Sequence, residues 1–269
     1  MKRSLAVLLA AATLTSPLFA AEISIHGSTT MTDLNKRLAT DYESTHPGSK
    51  VRVLTSDSGQ GIADLIAGTA SIAASSRAIR PDESAKMKAV GLPIARDGIA
   101  IYVHPGNPVD SLTEAELTGI FAGKITNWKE VHGVDAPIAV YVRENGSGTA
   151  EFFKEHVLGG KNAAYPTGAR ELQSTAAVIA AVASNRFAIG YAGAAVTKAA
   201  KVLPLRKTAG SPAISPTREA VLRGVYPLAR ILYYYVSGTP QGDLLEFTQW
   251  VLSPRGQQTV TQAGYFAVK

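Results

Sequence analysis

No cysteine occurs anywhere in the 269 residues. Stability therefore comes from a packed core rather than from disulfides, and a chain this long can supply one. The missing thiol also removes the attachment point that a lipoprotein needs at its cleavage site. Past the first twenty residues, no apolar run reaches the length needed to cross a bilayer. Tandem repeats, heptads and low-complexity blocks are absent from the sequence. Like charges do not gather either. The formal excess of +6, smaller by two without Lys2 and Arg3, is spread along the chain. Such a balance permits an anionic ligand but does not argue for nucleic acid.

Several enzyme signatures are missing too. The five histidines, His26, His46, His104, His132 and His156, show no metal-ligand spacing. There is no Gly-x-Ser-x-Gly elbow. "GIFAGKIT" (Gly119 to Thr126) has the look of a nucleotide loop, but its spacing is one short and Ile125 stands where Ser or Thr is required. No catalytic residue, metal or cofactor is expected.

What is present begins with an export pattern. Lys2 and Arg3 precede the apolar "LAVLLAAATL", and "SPLFAAE" offers small residues for cleavage near Ala20 or Ala21. That is the layout of a secretory signal peptide over residues 1–20. A periplasmic, soluble protein without a lipid anchor is the expectation. Apolar residues make up 46% and charged residues 18%, as in a packed globular chain.

Along the mature chain, strand-like runs alternate with helical patterns. "EISIHG" precedes a stretch with Leu34, Leu38 and Tyr42 four apart, and "KVRVLTS" leads into "GQGIADLIAG". Further on, "TEAELTGIFAG" opens at Thr113 with Glu116 three residues later, the spacing of a capping box. "IAVYVRENGSGT" runs from strand through turn to helix, "STAAVIAAVASN" and "FAIGYAG" repeat the helix-then-strand order, and "ARILYYYVS" is a strong β run before a closing amphipathic helix. This alternation predicts an α/β fold, with mostly parallel sheets flanked by helices. Ligands of open α/β sheets sit beyond the strand C-termini, against helix N-termini.

Three strand-to-helix corners share one chemistry: "HGSTTM" (His26 to Met31), "SDSGQG" (Ser56 to Gly61) and "RENGSGT" (Arg143 to Thr149). Each offers hydroxyls, a glycine and the unpaired backbone N–H groups of a helix start, where an oxyanion is stabilised. Any single corner could be an ordinary cap, since Ser and Thr are preferred capping residues. Three of them, with Arg143 and the "SSR" of Ser75 to Arg77 also at strand ends, point to a tetrahedral oxyanion. Short hydroxyls and amides reach it from several directions, and arginine adds a two-pronged fork.

In combination, "GSTTM", "SGQG", "AASSR", "YVHPGNPV", "LTEAELTGIFAGKITNW", "RENGSGT", "AIGYAG" and "YPLARILYYYV" resemble the periplasmic phosphate-binding proteins of ABC transporters, over essentially the whole mature chain. The resemblance implies a two-lobed periplasmic binding protein fold of type II-like form, closing on phosphate in a cleft. It implies a first lobe of residues 21–99 plus 229–269 and a second of 100–228, with crossings near "DGIAIYV" and "PLARILYYY". It also implies a membrane-embedded ABC permease as partner and a monomer in solution. Carried over by position, the phosphate contacts fall on Ser28, Thr29, Thr30, Ser58, Arg143, Ser147, Gly148 and Thr149, with Ser76 and Arg77 at the third strand end. Gly148 would act through its N–H; Gly27 and Gly59 would let backbone approach the ligand.

Two departures stand out. Ser76 occupies a position where many relatives carry the aspartate that accepts the ligand's proton, leaving Asp57, Glu144 or a backbone carbonyl for that task. Asn145 replaces an aspartate that often pairs with the arginine at position 143. Sulfate, molybdate, tungstate or arsenate remain alternative ligands, and a phosphatase or an adhesin remain alternative roles.

Overall fold

The computed structural model describes residues 22–195 and 199–268; the expected export segment over residues 1–20 lies outside the described residues. From the N-terminus the chain forms β1 (Ile23–Ser28), α1 (Thr32–Thr45), β2 (Val51–Ser56), α2 (Ser58–Ile66), β3 (Ile72–Ser75), α3 (Pro81–Ser84) and the long β4 (Ala89–Val103). It continues through β5 (Leu112–Thr113), α4 (Glu114–Phe121), β6 (Ala139–Arg143), α5 (Gly148–Val157), β7 (Arg170–Leu172), α6 (Thr175–Ala183) and β8 (Ala188–Gly193). Then come β9 (Lys201–Leu203), β10 (Leu205–Arg206), α7 (Arg218–Leu222), β11 (Ala229–Ser237), α8 (Gly242–Val251) and α9 (Pro254–Gln262). The α/β alternation expected from sequence is observed. Leu34, Leu38 and Tyr42 are buried on one face of α1, and the Thr113–Glu116 capping box opens α4.

Two lobes share one curled sheet, ordered β2-β1-β3-β11-β4-β8-β6-β7, with β9 also on β4. Within each lobe the outer strands pair in parallel, β1 with β2 and β3, and β6 with β7 and β8. The crossing strands pair antiparallel with their neighbours and with each other: β11 with β3 and β4, and β4 with β8. Residues 89–98 of β4 pair with β11 in one lobe, and 99–103 pair with β8 in the other. The register slips at Leu232/Tyr233, next to Pro93, which has no N–H to give the ladder.

Side chains alternate across the sheet as the pleat requires. Ile72 and Ala74 enter a core with α1, α8 and α9, while Ala73 packs against Ile62 and Leu65 of α2 on the opposite face. In the second lobe, Ile99, Ile101 and Val103 enter the larger core with Trp128 and Phe153, and Ala100 and Tyr102 face α6. Both faces of the inner strands are covered, so β1, β3, β6 and β8 are buried on each side while the edge strands β2 and β7 are partly exposed. Their C-terminal ends, where helix starts gather, meet between the lobes.

Candidate functional site

Three helix starts converge at this meeting point. β1 ends at Ser28, and a single 3-10 turn, Thr29–Met31, leads into α1. β2 ends at Ser56, and Asp57 caps α2 by accepting the N–H of Gln60 at 2.8 Å. β6 ends at Arg143, and Ser147 caps α5 by accepting the N–H of Ala150 at 3.3 Å. In each case the first turn leaves backbone donors without an intrahelical acceptor. Ser147 still has its own hydroxyl hydrogen to give.

Five hydroxyls meet where these starts face one another. Ser28 Oγ donates to Ser76 Oγ at 3.1 Å, and Ser58 Oγ lies 3.3 Å from the same oxygen. Ser76 Oγ is 3.4 Å from Thr149 Oγ1, which is 3.0 Å from Thr30 Oγ1. All five side chains are buried. The amide of Ser76 donates to Ser58 Oγ at 3.1 Å, fixing that hydroxyl. Thr29 Oγ1, beside this group, is buried without a hydrogen-bond partner among the described residues. Hydroxyls serve as donor or acceptor, so such a group adapts to an anion's oxygens.

Glycines decide how closely the lobes approach. A Cβ on Gly148 would stand 2.5 Å from Ser58 Oγ and 2.9 Å from Ser76 Oγ. Gly59 gives its N–H to the carbonyl of Gly146 across the lobe boundary at 3.0 Å. A Cβ on Gly59 would stand 3.3 Å from that same oxygen, so its bareness serves lobe contact. Gly27 serves the core: at φ +119°, its Cβ would lie 2.4 Å from the Ala74 carbonyl oxygen.

The charges at the site come in pairs. Arg143 forks onto Glu144, Nη2 to Oε1 at 2.6 Å and Nε to Oε2 at 2.9 Å, and Nη1 donates to Thr175 Oγ1 at 3.2 Å. Glu144 thus takes the pairing role that Asn145 cannot. Asp57 is occupied as a cap against Gly146. Arg230 and Asp97, both buried, form a second pair: Nη2 and Nε donate to Asp97 Oδ2 at 2.7 and 3.0 Å. The Nη1 of Arg230 reaches Thr149 Oγ1 at 2.9 Å and the Ser76 carbonyl at 3.3 Å. Each guanidinium has a carboxylate of its own, so the pairs add little net charge. What remains to attract an anion is a set of oriented hydroxyls, amides and helix dipoles.

The family model described as a PBP superfamily domain matches residues 12–255. The chain belongs to that superfamily. Among relatives of this PBP superfamily member, the phosphate-binding protein PstS of Pseudomonas aeruginosa is 28% identical over 266 residues, 90% of this chain and 82% of that protein. A putative phosphate ABC transporter substrate-binding protein of Clostridium perfringens, solved with bound phosphate, superposes with a TM-score of 0.86 at 29% identity, over 93% of this chain and 100% of the other. An ABC-type phosphate transport receptor of Vibrio cholerae gives 0.75 at 31% identity, over 91% and 99%. The resemblance read from the motifs and the two-lobed fold it implied are thereby borne out.

In this PBP superfamily chain, Ser28, Thr30, Ser58, Ser76, Gly148 and Thr149 come together, with Thr29 and Ser147 on the helix starts that bear them. Arg143 ends β6 at the same corner, anchored by Glu144. Arg77 departs from expectation. Its Nη1 and Nη2 donate to Glu83 at 2.8 and 2.7 Å, and its Nε faces Glu151 at 3.1 Å. The neighbouring side chain Ser76 points into the hydroxyl cluster while Arg77 points away from it, as alternation at a strand end dictates. Burial alone would raise the Glu83 carboxyl, but hydrogen bonds from Arg77 and from the Arg80 backbone and side chain hold it at about 2.

Arg230 and Asp97 escaped the sequence reading. The signal was available as single opposite charges, each beside an apolar run, in the two segments expected to cross between lobes: "DGIAIYV" and "PLARILYYY".

Proposed function

We propose that this protein captures inorganic phosphate between its lobes and delivers it to a membrane ABC permease. The observation that carries the reading is the meeting of five buried hydroxyls from separate corners of both lobes around Ser76. The ligand set is Ser28, Thr29, Thr30, Ser58, Ser76, Arg143, Ser147, Gly148 and Thr149, with Arg230 in place of Arg77. Phosphate is bound by hydrogen bonds from hydroxyls, helix-start amides and guanidinium, and closing of the cleft excludes water around it. The lobes are residues 21–99 plus 229–269 and residues 100–228. They close by bending at the crossing strands, and the closed form is what the permease meets. The protein acts in the periplasm as a soluble monomer and catalyses no reaction. Relatives named for phosphate binding and phosphate transport support this reading.

Titration calorimetry on protein freed of endogenous ligand by partial unfolding and dialysis tests it. One phosphate per chain, with sulfate, molybdate and tungstate failing to compete, is expected. Preferential binding of one of those other anions, or release of product from a phosphate ester, overturns the assignment.

A further inference from the structure

The arginine that turns away from the hydroxyls forms part of another arrangement. Arg77, Arg80 and Glu83 belong to the segment after β3 in the first lobe. Glu83 accepts from both arginines, from Arg77 at 2.7 and 2.8 Å and from Arg80 Nη2 at 2.5 Å. Both terminal nitrogens of Arg77 are engaged by Glu83, and its Nε, which donates no hydrogen bond, lies at the lobe boundary. There it meets Glu151 of α5, Oε2 at 3.1 Å, while Glu151 Oε1 lies 3.6 Å from Arg80 Nη1. Glu151 is mostly covered, with its side chain 16% exposed. In the first lobe Arg80 also faces the exposed Asp82, Nε to Oδ1 at 4.0 Å, while the buried Arg77 has only Glu83 beside it there; Glu151 brings Arg77 a second carboxylate only when the lobes are together.

The location of Glu151 matters as much as its charge. It lies three residues beyond Gly148, less than one turn along the helix whose first residues face Ser58 and Ser76. Any movement that parts Thr149 from Ser76 also parts Glu151 from Arg77. We propose that Glu151 is an interlobe catch, a positioning residue that holds the cleft shut over the anion through Arg77 and Arg80 without touching the anion. Burial pushes the Glu151 carboxyl up even though Arg77 and Arg80 oppose the rise. Desolvation thus offsets much of the pair's attraction, which suits a catch that must also release.

This inference rests on the phosphate reading, and the experiment separates the two. Phosphate dissociation is followed by stopped flow and affinity by calorimetry for the wild type, Glu151→Ala, Glu151→Gln and Glu155→Gln, the last removing an exposed carboxylate one turn further on. Lobe separation is read by spin labels at Lys36→Cys and Ala115→Cys, both exposed and specific in a chain without native cysteine. Glu151→Ala should speed phosphate release by roughly tenfold with little change in association, and should broaden the distance distribution. Glu151→Gln should fall between, and Glu155→Gln should match wild type. A wild type that binds phosphate, with release and distances unchanged in Glu151→Ala, overturns the catch. A wild type that binds no phosphate, while Glu151→Ala still widens the cleft, overturns the ligand and upholds the catch. No binding together with no widening overturns both.

Discussion

Asp97 and Arg230 lie directly opposite each other in the register of the two strands that pass between the lobes. Their side chains pair at 2.7 Å in a buried setting, and the guanidinium continues to Thr149 on one side and the Ser76 carbonyl on the other. One cation thus joins the bending strands, the first lobe and the second. Replacing Arg230 with Met leaves Asp97 buried without a countercharge and should cost about 3–5 kcal/mol of stability. The double variant Arg230→Met, Asp97→Asn should recover most of that cost. Its phosphate affinity should stay at least about tenfold below wild type, because the donor to the hydroxyl cluster is still missing. Thermal melts and calorimetry on both variants read the two effects separately.

Gly27 and Gly148 should fail in different ways. Alanine at Gly27 meets the Ala74 carbonyl inside one lobe at a positive φ, so Gly27→Ala should lower the melting temperature by several degrees, the shift of about 1–3 kcal/mol of strain. Alanine at Gly148 meets Ser58 and Ser76 across the cleft, and the molecule can relieve that clash by staying open. Gly148→Ala should therefore melt near wild type yet bind phosphate more than about tenfold more weakly. Its small-angle scattering profile should not contract on adding phosphate.

Acid should reach the molecule through Glu83. This carboxyl sits at about 2 in the folded protein against 4.5 as its ordinary value. The unfolded chain therefore takes up the proton first as pH falls, and the stability that Glu83 contributes is present above about pH 4.5 and lost towards pH 2. That contribution is about 3 kcal/mol. Urea melts between pH 5 and pH 2 should show the decline, and Glu83→Gln should flatten this part of the curve from a lower starting stability.

Arg143 is the remaining cation of the proposed ligand set. Arg143→Ala should weaken phosphate binding well over tenfold, about 2–5 kcal/mol on the scale of desolvated charge pairs. The fold should persist, because the paired Glu144 side chain is 19% exposed and can take up water. Unchanged affinity by calorimetry would remove Arg143 from the ligand set.

Much of this molecule was legible before any coordinates. Hydrophobic alternation marked the strands, the Leu34–Leu38–Tyr42 spacing marked α1, and Thr113 with Glu116 marked the start of α4, since these signals are local and obey short-range geometry. The hydroxyl corners were legible for the same reason: a strand end followed by a helix start is written in adjacent residues. What could not be read was partner choice. Arg77 is adjacent to Ser76 in sequence, but its carboxylates come from Glu83 six residues on and Glu151 in the other lobe. Arg230 and Asp97 are separated by 133 positions, and nothing short-range joins them. Gly27 and Gly59 were identified as close approaches, but whether a ligand, a core or the other lobe comes near depends on tertiary packing.

Because β4 runs unbroken from one lobe into the other, the molecule has no clean place to be cut. Its first ten residues complete one lobe's share of the sheet and its last five complete the other's. Severing the chain at this waist would leave β11 on the second fragment and strip the first lobe of the strand between β3 and β4, so the first fragment should not survive alone. Heating the intact protein should produce one cooperative melting event rather than two.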